Sequence, residues 1–219
     1  MGIKPKPAAP AAKGLPITVN GKTYQIPTSW ADVHWTMFER MINGGETSEV
    51  IAMLCGSDDP DLVNPVVVEL LAFLQTLPLE AVLDKPVDFM PLESYINARS
   101  AYRADAKDYY GVVRAYWPVC PDDADTVMSR YYAIITAWNQ LDTQFAILQT
   151  EATANEKSAG IERLAAFQEY GMVYQLAGGD ILKENAILAT IDTRHAYMHR
   201  AYALVKSEFE AKMLAKAGK

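Results

Sequence analysis

Ile17-Thr18-Val19-Asn20-Gly21-Lys22-Thr23-Tyr24-Gln25-Ile26 opens the folded part of the chain. Apolar residues alternate on both sides of Asn20-Gly21, and that dipeptide tolerates the positive φ angles of a tight hairpin turn. Pro27-Thr28-Ser29-Trp30 then stops the second strand and supplies a helix cap. Nearly everything further on repeats with a helical period. The expected fold is mainly α: an N-terminal β-hairpin, a cluster of short helices, and a C-terminal bundle of longer helices.

Composition divides the chain into three stretches. Residues 1–15 are rich in Pro, Ala and Lys and bury too little to offset their ordering entropy, so a flexible arm is expected there. Residues 16–90 hold the hairpin and the short helices, and residues 91–219 the longer ones. Between them, Pro86 and Pro91 flank a joint whose Phe89-Met90 is expected to pack inward.

Within 16–90, Ser29 and Asp32 approximate a capping box. It opens a helix with Trp30, Val33, Met37, Phe38 and Met41 on one face, closed by Gly44-Gly45. Thr47 or Ser48 caps a second helix ending at Gly56, and Asn64-Pro65 starts a third that runs to Leu77-Pro78. Beyond Pro91 one helix is expected from Leu92 towards Trp117, with Gly111 its weak point. The next, capped by Asp122 or Asp123, carries Tyr131, Ile134, Trp138, Leu141, Phe145 and Leu148 at spacings of three and four. This a/d seam reads as an internal bundle core, with an intermolecular coiled coil as the alternative. Ala159 to Leu176 forms another amphipathic helix, ended by Gly178-Gly179, and Asp180 caps a short one. The last helix bears Met198, Tyr202, Val205, Phe209 and Met213 on a stripe expected to face the core.

The totals narrow the classes of function. A net charge of −7 argues against a surface that works by neutralising nucleic-acid phosphates. The apolar run Val66-Val67-Val68, resumed at Leu70, is interrupted by Glu69 and is too short to span a bilayer. Cys55 and Cys120 form no CxxC pair and read as two thiols of a reducing compartment. No leader of signal-peptide type is expected before Gly14.

No set of residues points to chemistry. His195 and His199 have the helical spacing of a zinc site, but no Glu follows the first and no third ligand is evident. Asp58-Asp59, Asp61 and Asp122-Asp123 fall where caps and solvated loops want acids, without calcium-loop spacing. Gly178-Gly179-Asp180 lacks the frame of a phosphate-binding loop. No catalytic residue, metal or cofactor is therefore assigned, and the expectation is a protein that is not an enzyme. Tyr109-Tyr110, Tyr116-Trp117 and Tyr131-Tyr132 put rings on both sides of their helices. Tyrosine placed so suits a binding surface.

The hairpin Ile-x-Val-Asn-Gly-Lys-x-Tyr-x-Ile-Pro-Thr-Ser-Trp, Ile17 to Trp30, resembles the opening of small tail-morphogenesis proteins of tailed bacteriophages. Leu54-Cys55-Gly56, Ala159-Gly160-Ile161-Glu162-Arg163-Leu164 and Leu176-Ala177-Gly178-Gly179-Asp180-Ile181-Leu182-Lys183 are similar to recurring elements of such proteins. The resemblance implies a tail assembly chaperone that binds helical segments of a tape-measure-type partner in the host cytoplasm. The alternative it implies is a structural subunit of the tail, neck or baseplate that stays in the virion. Either way the partners would be other phage tail proteins, with no nucleic acid or membrane, and a homo-oligomer is compatible. Trp30, Tyr109, Tyr116, Trp117 and the arm are the interface candidates under both.

Overall fold

The structure, a computed structural model, describes residues 13–42, 47–76, 83, 86–120, 122–149, 154, 157 and 169–217. The arm before residue 13, the stops at Gly44-Gly45 and Leu77-Pro78, and residues 159–168 of an expected helix lie outside these. The described residues of Met1–Ala81 and Val119–Tyr132 form one compact unit, and those of Val82–Pro118 and Ala133–Lys219 a second. Reading the chain in order does not reveal that Val119–Tyr132 belongs with the N-terminal residues.

In the first unit, β1 (Leu15–Val19) and β2 (Lys22–Ile26) pair antiparallel with Val19 opposite Lys22 and Ile17 opposite Tyr24. Asn20 at φ 49° and Gly21 at φ 80° make the turn that Asn-Gly encodes. Side chains then tie the hairpin down. The Tyr24 hydroxyl donates to Asp59 at 2.7 Å, Asn20 donates to Asp61, and Lys22 lies 3.6 Å from Asp59. The tyrosine hydrogen bond holds the Asp59 carboxyl below its usual range, and the Asp61 amide and Lys22 act in the same direction.

The expected helix from Trp30 is broken in two. Trp30–Asp32 is a single 3₁₀ turn, and α1 (Trp35–Ile42) begins after an extended Val33. Ser29 makes no cap bond; the Asp32 carboxylate instead accepts from the amide and hydroxyl of Thr28 and the hydroxyl of Ser29. A distant pairing causes the break. Ala124 donates its amide to Val33 O at 2.8 Å and Trp35 donates to Asp122 O at 2.5 Å, so His34 and Asp123 form an antiparallel bridge. Next come α2 (Thr47–Cys55) and α3 (Pro65–Leu70), the latter capped by Asn64 accepting from Val66 and Val67. The core holds Ile26, Val33, Leu54, Leu62 and Val67, each at zero exposure. Cys55 and Cys120 are not joined in a disulfide, and burial pushes the Cys55 thiol up to about 11.

In the second unit the expected Leu92–Trp117 helix is likewise two helices, α4 (Leu92–Ala104) and α5 (Tyr109–Tyr116). The break falls at Asp105–Asp108, not at Gly111. Asp105 accepts from the Lys107 amide, and Asp108 caps α5 by accepting from Gly111 at 2.8 Å. A side chain at 111 would strike that carboxylate, so the glycine serves the cap. Helix α6 (Ala124–Gln144) starts in the first unit and ends in the second. Its seam is internal: Tyr131, Ile134, Trp138, Leu141 and Phe145 are all buried. Then follow α7 (Tyr170–Leu176), α8 (Ile181–Thr190), capped by Asp180, and α9 (Thr193–Ala217).

Aromatic rings and one ionic cluster build this second core. Trp138 stands edge-on to Tyr95 and Tyr102 and donates from Nε1 to the Tyr116 hydroxyl at 3.1 Å. Tyr95 and Tyr197 share a hydrogen bond of 2.6 Å. The Arg99 guanidinium sits 4.9 Å over the Trp138 ring, with Nε 3.8 Å from Glu169. Burial is the largest influence on Glu169 and raises it, but the Arg103 hydrogen bonds, a backbone hydrogen bond and the charges of Arg103 and Arg99 together outweigh it and hold that carboxyl below its usual range.

Candidate functional site

Two of the four aromatic candidates are core residues. Trp30 is 9% exposed, packs edge-on against Phe38 and Phe73, and donates from Nε1 to Thr76 O at 2.9 Å. Tyr116 is 7% exposed under the Trp138 hydrogen bond, and burial raises its hydroxyl well above the usual range. Tyr109 and Trp117 are half-buried at opposite ends of α5, where the Trp117 ring tilts against Tyr116 at 5.8 Å. Tyr109, Tyr116 and Trp117 thus share the second unit, while Trp30 belongs to the first. Trp30 and Tyr116, being buried, offer no surface for a partner.

An exposed apolar row runs along α9, in addition to scattered exposed apolar residues elsewhere such as Val66, Val119 and Leu182. The first two turns of α9 are fixed to the second unit: Thr193, Ala196 and Tyr197 are buried, and Thr193 donates its amide to Met90 O. Further along, the stripe expected to face the core faces outward. Met198 is 48% exposed, Tyr202 68%, Val205 50%, Phe209 62% and Met213 52%. The correction has a plain cause. A 25-residue helix outruns the elements it packs on, and among the described residues nothing covers its far half.

At its near end the stripe runs into a groove of about 690 Å³. Leu176 from the end of α7, Ile191 from the loop after α8, and Met198 and Tyr202 from α9 supply apolar walls. Asp192 and His195 form the polar rim, with His195 Nδ1 2.8 Å from an Asp192 oxygen. The same Asp192 caps α9 by accepting from the His195 amide at 2.8 Å. His199 lines the groove too. No three His, Cys, Asp or Glu side chains gather into a metal set among the described residues. An open, mostly apolar trough continuous with an exposed helix stripe is suited to taking an amphipathic helix.

The spacing identifies the stripe residues but not the side they face. An apolar row at spacings of three and four looks the same whether it meets its own core or a partner. The charges that bracket it, Lys206, Glu208, Glu210 and Lys212, are the available signal. They leave the far half of α9 with no wide apolar face for a core to cover. No described helix is long and apolar enough to cross a membrane. Searches against protein-family models, curated proteins and solved structures find no match to this chain.

Proposed function

We propose that this chain is a non-enzymatic tail-morphogenesis protein of a tailed bacteriophage, acting as an assembly chaperone for helical segments of a tape-measure-type partner. The observation that carries the reading is the α9 stripe running into its groove, a surface shaped for the apolar face of a partner helix. The resemblance of Ile17–Trp30 to such proteins supports it from the sequence side, and the acidic charge suits a protein that keeps apolar helices in solution. Retention in the tail, neck or baseplate is the competing role.

Copy counting by mass spectrometry on purified particles separates the two. The chaperone reading expects the chain to be missing from particles and to co-purify from lysate with a long helical tail protein. That capture should weaken at least tenfold in Tyr202→Glu. A fixed small copy number in every particle would establish the retained subunit instead. Absence from both particles and tail-protein complexes would overturn the phage assignment.

A further inference from the structure

The first unit closes where residues 33–35 meet residues 122–124, and the half-buried His34 ring stands at that point. The Thr36 amide donates to Nδ1 at 3.2 Å, and the Thr36 hydroxyl lies 2.9 Å from the same nitrogen. On the other side of the ring, Nε2 lies 2.7 Å from an Asp122 carboxylate oxygen. A backbone N–H can only donate, so Nδ1 is bare and accepts. The proton of the neutral ring is therefore on Nε2, where it donates to Asp122.

That tautomer makes His34 the cap of α1. Thr36 is the second residue of the helix, so its amide is one that no carbonyl within the helix can reach. Met37 and Phe38 donate to His34 O at 2.9 and 3.2 Å. Ring and carbonyl of one residue thus start the helix together.

From this geometry we propose that His34 is a proton-operated clasp at the closure of the first unit. Imidazole is the side chain whose charge changes between about pH 5 and 8. Once it is protonated both ring nitrogens carry hydrogen, and Nδ1 can no longer accept from the Thr36 amide. Nε2 keeps its bond to Asp122 and now pairs with it as a cation. The positive end of the α1 dipole turns the imidazolium away from the capping place, and Asp122 draws it the other way. Asp123, next in line, does not compete, because its carboxylate accepts from the Thr126 amide at 2.8 Å. The neutral ring holds α1 and Asp122 together; the charged ring lets go of Thr36 and stays with Asp122.

The second unit supplies the contrast. His195 stands beside the bridge Pro91–Asp192, but its Nδ1 lies 2.8 Å from an Asp192 carboxylate oxygen, so there the nitrogen donates. The first-turn amide of α9 is capped by that carboxylate and not by a ring. Protonating His195 adds a hydrogen at Nε2 and removes no acceptor from the helix start. His199, four residues on, is the other imidazole at that end. Acid therefore loosens one of two similarly built helix starts and spares the other.

Imidazole nitrogen NMR spectra and amide hydrogen exchange on the full chain test the clasp. At about pH 8, above the range in which imidazole charges, His34 should show a bare Nδ1 and a protonated Nε2, the reverse of His195. Towards about pH 5 the Thr36 amide, corrected for its intrinsic exchange rate, should lose protection by about fivefold, the scale of one cap bond. The His195 amide should keep its protection over the same range. His34→Asn puts a capping side chain that does not titrate in the same place, so Thr36 should stay protected throughout. His34→Ala should leave Thr36 poorly protected at every pH. A proton on Nδ1 of His34 at the alkaline end would overturn the proposal. So would Thr36 protection that ignores pH in the wild type, or a loss in acid that survives in His34→Asn.

Discussion

Helices α6 and α9 begin from the same backbone device and then part ways. At the start of α6, residues 33–35 and 122–124 exchange two backbone hydrogen bonds around the bridge His34–Asp123. At the start of α9, Leu92 donates to Ile191 O at 2.8 Å and Thr193 to Met90 O at 3.1 Å, around the bridge Pro91–Asp192. Each bridge follows a one-turn 3₁₀ helix, Trp30–Asp32 in the first unit and Val87–Phe89 in the second. Each ends in an aspartate that accepts from the amide three residues on, Asp123 from Thr126 and Asp192 from His195, both at 2.8 Å. Both helices carry an apolar row at similar spacing. One row is buried and the other is bare. An apolar stripe and a good cap make a helix, but neither says whether the chain itself will cover the stripe.

Truncating the two stripes is the sharpest way to break the comparison. Trp138→Ala removes the ring under Arg99 and the partner of the Tyr116 hydroxyl, and should cost about 3–5 kcal/mol in urea unfolding. Trp30→Ala should cost a similar amount, about 3–5 kcal/mol, in the first unit. Phe209→Ala stands at the other extreme. It should change stability by less than about 0.5 kcal/mol. A loss near that of Trp138→Ala would mean that α9 is covered after all.

The shared start comes next. Asp123→Ala and Asp192→Ala should each cost about 1 kcal/mol, since each leaves one first-turn amide without its acceptor. Two similar values would show that the caps are equivalent despite the different fates of their helices. A value near zero for one would show that the bridge alone fixes that end.

The ionic cluster on α4 gives an effect that depends on pH. Glu169 is held low by Arg103, so its contribution is complete above the ordinary glutamate value, about 4.3, and is lost as pH falls through the lowered folded value. Glu169→Gln should flatten that acid limb. Because Arg103 is about a third exposed, solvent screens the pair, and Arg103→Ala should cost less than about 1 kcal/mol. An unchanged acid limb in Glu169→Gln would show that other carboxylates carry it.

Local chemistry was legible wherever a residue answers to its neighbours in the chain. Asn20-Gly21 turns because both positions accept positive φ, Asn64 caps because Val66 and Val67 present free amides, and Asp180 does the same for Leu182. Two stretches of helical period are each broken in the structure, for different reasons. Asp105 and Asp108 break one by turn chemistry that was in the sequence and outranked Gly111. The break at Val33 has no local sign, because it comes from hydrogen bonds to residues 122 and 124.

The sequence by itself determined the hairpin and its register, the helical class, most caps, and which residues on each helix are apolar. These depend on backbone propensity and on spacings within a few residues. Tertiary structure alone decided that Val119–Tyr132 joins the N-terminal unit, that Trp30 and Tyr116 are core, and that the α9 stripe is open. Burial depends on which other elements come within contact distance, and apart from the charges that bracket the α9 stripe, one helix's residues carry no record of that.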